Sequence, residues 1–191
     1  RPSTGFPTPL KSCGWDRRTE FSSSDHLRTR QCGLRIWAAA YNGPVAPPAK
    51  IDTQGDLKMT VKSVIEAFWQ GHSTGNHDAL KEVLASDMTW TVVGTTSPVA
   101  KTYEGWDGFF GELLGALGAA FKPGTLNMQL KGLHADEDSG VGILHIQESA
   151  TLQNGNSMDI EIVDVITVRD GRIVDVREVM DLAAVNAAFG F

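Results

Sequence analysis

A chain of 191 residues has room for one domain of ordinary size with little more than a tail beside it. With 41% hydrophobic and 21% charged residues it carries enough apolar mass to bury a core, as soluble globular proteins do. No run approaches the roughly 18 apolar residues of a membrane span, and the N-terminus lacks the basic-then-apolar order of a secretory signal, which excludes a membrane protein and a collagen-like repeat.

Charge divides the chain. Residues 1–55 carry eight Lys/Arg against four Asp/Glu, and residues 56–191 carry nine against nineteen. The acidic body repels phosphate backbones, so neither nucleic acid nor a membrane surface is an expected partner. Both cysteines, Cys13 and Cys32, fall in the first part, without the companions of a zinc motif or a disulfide framework. A cysteine-free body fits a cytoplasmic protein.

Residues 1–55 are rich in Pro, Ser, Thr and Arg, show no sustained period of 2 or 3.6, and pass through Asn42-Gly43-Pro44-Val45-Ala46-Pro47-Pro48. They read as a disordered leader or non-native extension. The domain, residues 56–191, opens with Asp56 as the cap of a helix whose apolar stripe is Val61, Val64, Ile65, Phe68 and Trp69, ending before Gly75. Asn76 or Asp78 starts a short second helix through Leu84. A strand follows at Met88–Val93, with Trp90 and Val92 on one face. After a loop holding Pro98 and Tyr103, a third helix runs from about Trp106 to Phe121, with Gly108, Gly111, Gly115 and Gly118 at helical spacing. Such a stripe admits close backbone approach or leaves cavity space.

Four strands are then expected, near 125–134, 141–152, 158–168 and 173–181, joined by turns at Asp138-Ser139-Gly140, Asn154-Gly155 and Asp170-Gly171. A helix over Leu182–Phe189, capped by Asp181, closes the chain. Helices first and antiparallel strands after make an α+β fold, with the helices on one face of a curved sheet.

This order resembles the SnoaL-like branch of the NTF2-like superfamily, shared with ketosteroid isomerase and limonene-1,2-epoxide hydrolase. The pieces that carry the resemblance are Asp87-Met88-Thr89-Trp90, Tyr103-Glu104-Gly105-Trp106-Asp107-Gly108, and Val163 through Ile173 continuing to Arg177-Glu178-Val179-Met180-Asp181. It covers about residues 60–189 and implies an α+β cone: a curved antiparallel sheet wrapped around about three N-terminal helices, enclosing a pocket. The odd leader and absent start Met would suit an environmental gene-cassette member of the family.

Strand parity selects the residues facing that pocket. Even positions are apolar along 126–134, 142–152 and 158–168, and one acid interrupts the apolar parity in each of the last three strands: Glu148, Asp164 and Glu178. A strict two-residue hairpin at Asp170-Gly171 would pair Asp164 with Arg177 and turn Asp164 and Glu178 to opposite faces. A one-residue bulge at Gly171 would restore both to the concave side. Carboxyl groups gathered on an apolar face repel one another and lose solvation, which raises at least one pKa and sets an acid beside a base near neutral pH. That is the requirement for moving protons on a carbon acid or activating water against an epoxide.

Against limonene-1,2-epoxide hydrolase, the resemblance puts Glu148 and Glu178 at the catalytic aspartates and Trp90 at the water-binding tyrosine. Ile146 stands where an arginine holds the substrate oxygen, and Val92 where an asparagine binds water, so epoxide opening loses its fixed cation. Against ketosteroid isomerase, Phe68 replaces the oxyanion-hole tyrosine and Val92 the base. A SnoaL-type polyketide cyclase demands less: a hydrophobic pocket and one acid that donates and accepts a proton, with no cofactor.

The expected catalytic set is therefore Glu178 and Glu148, tuned by Asp164. The expected substrate-binding set is Trp90, Tyr103, Phe68, Trp69, Val92, Ile146, Phe110, His134 and Val176. His72 and His77 have capping or surface places by default, and no histidines cluster with acids at metal-ligand spacing, so no metal is expected. The function read from these residues is a cofactor-independent enzyme acting on a small apolar molecule such as a polyketide or terpenoid. The alternative is a non-catalytic small-molecule-binding dimer on the same fold. Outward residues such as Val163 and Val165 offer a mixed apolar face through which two subunits would pair as a homodimer.

Overall fold

The computed structural model describes residues 59–191; the leader, both cysteines and Asp56 lie outside them. Helix α1 (Val61–Ser73) is capped by Thr60, whose side chain accepts from Ser63 N. Glu137, from a distant hairpin, adds a second cap by accepting from Val61 N at 2.7 Å and Lys62 N at 3.1 Å. A carboxylate at this helix end satisfies donors that have no partner within the helix. Asn76 caps α2 (His77–Val83).

Strand β1 (Leu84–Val92) begins where α2 ends, four residues earlier than its hydrophobic alternation suggests. Short β2 (Thr102–Glu104) replaces an expected loop and pairs with β1, Tyr103 opposite Trp90. The third helix is two segments. A π-helical stretch, Asp107–Leu113, leads into α3 (Leu114–Ala120), and Leu114 N donates to Phe109 O across the wider turn. The wide turn keeps the neighbouring pairs Phe109 and Phe110, and Leu113 and Leu114, on the buried side. Its glycines have different reasons: a Cβ on Gly108 would lie 3.0 Å from the Tyr103 backbone, whereas one on Gly111 would meet nothing within 4 Å.

Strands β3 (Asn127–Asp136), β4 (Val141–Thr151), β5 (Ser157–Arg169) and β6 (Arg172–Met180) follow as an antiparallel meander, and α4 (Leu182–Phe189) closes the chain. Asp181 Oδ1 caps α4 by accepting from Ala183 N and Ala184 N, and Gly190 ends it in the left-handed region. The sheet order is β2-β1-β6-β5-β4-β3, with β1 parallel to β6 and the other pairs antiparallel. This is the α+β arrangement expected from the element order: one curved, unclosed sheet of six strands with helices in its concavity.

Two bulges set which side chains face inward. The Asp170-Gly171 turn is a strict two-residue hairpin, both residues at positive φ, with Arg169 opposite Arg172. The register slips farther along, because Val168 pairs Ile173 while Thr167 pairs Asp175, leaving Val174 as the extra residue. The expected bulge exists, at Val174 rather than Gly171. It puts Asp164 opposite Glu178 and Val165 opposite Arg177. On β3, Lys131 is extra in the same way: Leu130 pairs Ile146, but Gly132 pairs His145. Beyond that point β3 parity reverses, so His134 lies opposite outward-facing Ile143 and is exposed. The expected inward place of His134 is thereby corrected.

Candidate functional site

The concave face supports a cavity through one aromatic stack. Phe68 of α1 lies 5.9 Å from Trp90, centroid to centroid, and Trp90 lies 4.5 Å from Phe109. Beside them His72, one turn on from Phe68, stacks against its ring at 5.3 Å. The cavity is shallowly enclosed, its roughly 520 Å³ of space between atoms including solvent open at the mouth. Its walls come from α1 (His72), β1 (Trp90, Val92), the loop residue Val99, the π-helical turn and α3 (Phe109, Leu113, Leu114, Leu117), β4 (Glu148), β5 (Met158, Ile160, Ile162), β6 (Glu178, Met180) and α4 (Val185, Phe189). Polar groups gather on one side of an otherwise apolar enclosure, the usual form of a small-molecule site.

Two carboxyl groups line that polar side, Glu148 and Glu178, and a third, Asp164, lies behind it. Asp164 and Glu178 are cross-strand neighbours, and Glu148 reaches the same face from β4. Trp90 Nε1 donates to Glu178 Oε2 at 2.8 Å. The parallel pairing that aligns Trp90 with Val176 and Val92 with Glu178 brings them together, and Val93 N donates to the Glu178 carbonyl. Asp164 is deepest, 1% exposed and behind the wall, with Oδ1 lacking a partner among the described residues. Glu148 lines the cavity although its residue is 6% exposed, and no described side chain donates to it.

Burial dominates their ionisation. Loss of solvation, then the charge of Glu178, pushes the Glu148 carboxyl up to about 8. Glu178 rises to about 7 for the same first reason, restrained by the Trp90 hydrogen bond, which favours its ionised form. Asp164 rises well above the carboxylate range through burial and the charges of Glu178 and Glu148. His72 moves the other way: burial, helped by His77, pushes its imidazole down to about 4 and keeps it neutral. The arrangement thus offers two carboxyls poised near neutrality and one held protonated beside them.

Of the residues expected from sequence, Trp90, Val92, Glu148 and Glu178 line the cavity. Phe68, Ile146 and Val176 are buried directly behind its walls rather than on them. Tyr103 donates to Val99 O at 3.0 Å and so fixes a wall residue, and Phe110 faces away, packing on His77 at 5.1 Å. Trp69 is a half-buried supporter of the core. His134 is outside. Both histidines given surface or capping places are buried instead, His72 at 7% exposure and His77 at 8%. The signal for His72 was its place four residues after Phe68 on the apolar stripe of α1. The walls from Leu113, Leu114, Leu117, Val185 and Phe189 needed tertiary packing to be seen. No group of side chains suited to a metal occurs among the described residues, and no described helix is long and apolar enough to cross a membrane.

The sequence profile of the SnoaL-like domain family matches residues 65–176. Among solved structures, the chain is similar to an NTF2-like protein from Burkholderia thailandensis E264, with 22% identity over 68% of this chain and 96% of the other and a TM-score of 0.61. It is similar to a SnoaL-like polyketide cyclase candidate from Jannaschia sp. CCS1, with 14% identity over 73% and 97% and a TM-score of 0.56. It is similar also to an LEH-like epoxide hydrolase of M. tuberculosis, with 16% identity over 68% and 88% and a TM-score of 0.52. These likenesses establish the NTF2-like cone fold. No curated protein matches the chain.

The buried acids make stability depend on pH. A carboxyl whose pKa is raised in the folded state binds more protons folded than unfolded between its two pKa values, so stability falls as pH rises through that window. Neutral His72, with its pKa lowered, acts oppositely from about 4 to its ordinary 6.5. Folding stability in urea is therefore expected to be highest below about pH 6.5 and to drop as pH rises through about 8. Glu148→Gln is expected to recover about 2 kcal/mol of that loss; a flat wild-type profile from pH 6.5 to 8 contradicts the assignment.

Proposed function

The chain belongs to the SnoaL-like domain family, and on that footing we propose that it is a cofactor-independent acid/base enzyme acting on a small apolar molecule, in the manner of a polyketide cyclase. The observation that carries this reading is the unequal carboxyl pair. Glu178 is held by the Trp90 indole, whereas Glu148 meets the same apolar cavity with no donor among the described residues. Near neutral pH the lower-pKa Glu178 acts as base and the still-protonated Glu148 as acid.

A carbonyl compound lying between them would lose a proton from its α-carbon to Glu178 while its oxygen accepts the Glu148 proton, giving the enol. Attack of that enol carbon on a second carbonyl of the same molecule forms the new C–C bond. The enol proton then returns to Glu148, and the proton held by Glu178 passes to the new alkoxide. Both groups are restored. Asp164, behind the wall, is a positioning residue: kept neutral, it limits the negative charge that Glu178 faces. Epoxide opening is the weaker form of the reading, because Ile146 offers no cation to an epoxide oxygen.

Glu178→Gln is expected to lower turnover on a panel of poly-β-carbonyl substrates by about 10²–10⁴-fold with folding retained. The kcat/KM profile of the wild type is expected to rise near pH 7 and fall near pH 8. Turnover unaffected by Glu178→Gln contradicts the mechanism, and ligand binding without any turnover favours the non-catalytic binder.

A second copy of the chain is proposed to cover the outer sheet face. Ile143, Val163, Val165 and Val179 form one patch across β4, β5 and β6, with Val179 at 47% and Ile143 at 39% exposure. Unpartnered apolar side chains at adjacent register positions fit a symmetric interface. Light scattering is expected to give a dimer mass for the wild type and a monomer for Val179→Lys; a monomeric wild type contradicts the pairing.

A further inference from the structure

We propose that the cavity's ligand carries a basic nitrogen: it is an apolar amine whose ammonium group sits against Glu148 and Glu178. This rests on the reading of the cavity as a small-molecule site, in its binding rather than its proton-transfer form, since an ammonium group would occupy the two carboxyls that a carbonyl substrate needs. The argument is one of unmet demand. Two carboxyl groups, Glu148 and Glu178, line the cavity with Asp164 behind the wall, and Trp90 Nε1 is the one donor the described residues bring to them. Glu148 is more than nine-tenths buried, lines the cavity and has no described partner. Behind it, Asp164 Oδ1 is also without one.

Among the described residues, no lysine or arginine is on the cavity wall. Lys101 is paired with Glu112 at 2.7 Å, Arg172 donates to the Lys81 and Leu84 carbonyls, and Arg177 lies opposite outward-facing Val165. His72 is on the wall but stays neutral, so it supplies no counter-charge. A buried carboxylate needs both a cation and hydrogen-bond donors. An ammonium group brings three N–H donors and the charge in one group. An alcohol brings a single donor and no charge, and a carboxylate ligand meets repulsion. The remaining walls, among them Leu117, Met158, Ile160 and Phe189, take the hydrocarbon part.

The groups facing the ammonium are Glu148 from β4, Glu178 from β6 and His72 from α1, with Asp164 of β5 behind the wall and the Tyr103 hydroxyl of β2 near enough to feel Glu178. Tyr103 is pushed up to about 12 by burial and the charges of Glu178 and Glu112, so it stays neutral. While the carboxyls are protonated, an ammonium group must displace a proton to pair with one. Its affinity should therefore climb with pH until Glu178 and Glu148 are ionised, near 7 and 8.

The test is calorimetric titration of the full chain with hexylamine, hexanol and hexanoate, which share one tail. Hexylamine, protonated like a lysine side chain, is expected to bind at least about 10-fold more tightly than hexanol at about pH 8.5, and about 10-fold more tightly there than at about pH 6. At about pH 7, titrations in buffers of different ionisation enthalpy should show proton release on amine binding. Glu148→Gln is expected to cut the amine's advantage over hexanol about 10-fold. Hexanol binding as tightly as hexylamine at about pH 8.5, or an amine affinity independent of pH, overturns the amine assignment and leaves the small-molecule reading standing. If none of the three ligands binds, both fall together.

Discussion

Val174 is the extra residue between Ile173 and Asp175, and its bulge sets the direction of every β6 side chain that follows. Without it, the strict Asp170-Gly171 turn would carry a straight register down the hairpin, Asp164 would face Arg177 and Glu178 would leave the concave side. With it, Glu178 meets Trp90 Nε1 across the parallel β1–β6 pair and stands opposite Asp164. The ladder is interrupted at one residue, and in return a set of carboxyl groups enters an apolar interior.

That placement is unfavourable for the fold and gives the site its chemistry. Solvation lost by three acids is returned by little more than one indole hydrogen bond among the described residues, so their ionisation is resisted and their pKa values spread. The indole distinguishes otherwise similar groups: it favours the Glu178 carboxylate, while Glu148 has no such help. The aromatic stack of Phe68, Trp90 and Phe109 holds the indole in place, and His72 beside it stays uncharged. The proposed proton transfer and the proposed amine binding are alternative uses of the same unmatched carboxyl groups.

Much of this was legible in the sequence, for identifiable reasons. Period-2 alternation along β4, β5 and β6 is unbroken except at single acids, so the three carboxyl groups could be named before any coordinates. The Asp181 cap and the turn residues marked the ends of elements in the same way. What was not legible depends on register or on contacts between elements. No local signal distinguishes Val174 from Gly171 as the bulged residue, since glycine belongs in the turn on conformational grounds as well. Lys131 reversed the parity that had placed His134 inward. The π-helical turn, which aligns Phe109 with Phe110, has no 3.6-residue signature to detect. The cap on α1 comes from Glu137, which is far away in sequence and invisible to a local reading.

The central claim is that burial and one indole hydrogen bond split these carboxyl groups across neutral pH. The most direct measurement is titration of the Glu148, Asp164 and Glu178 side-chain carboxyl carbons by NMR. The expected result is coupled titration, with midpoints near 7 and 8 for Glu178 and Glu148 and one raised well above the ordinary carboxylate range for Asp164. Three independent curves near the ordinary carboxylate value of about 4 would contradict it.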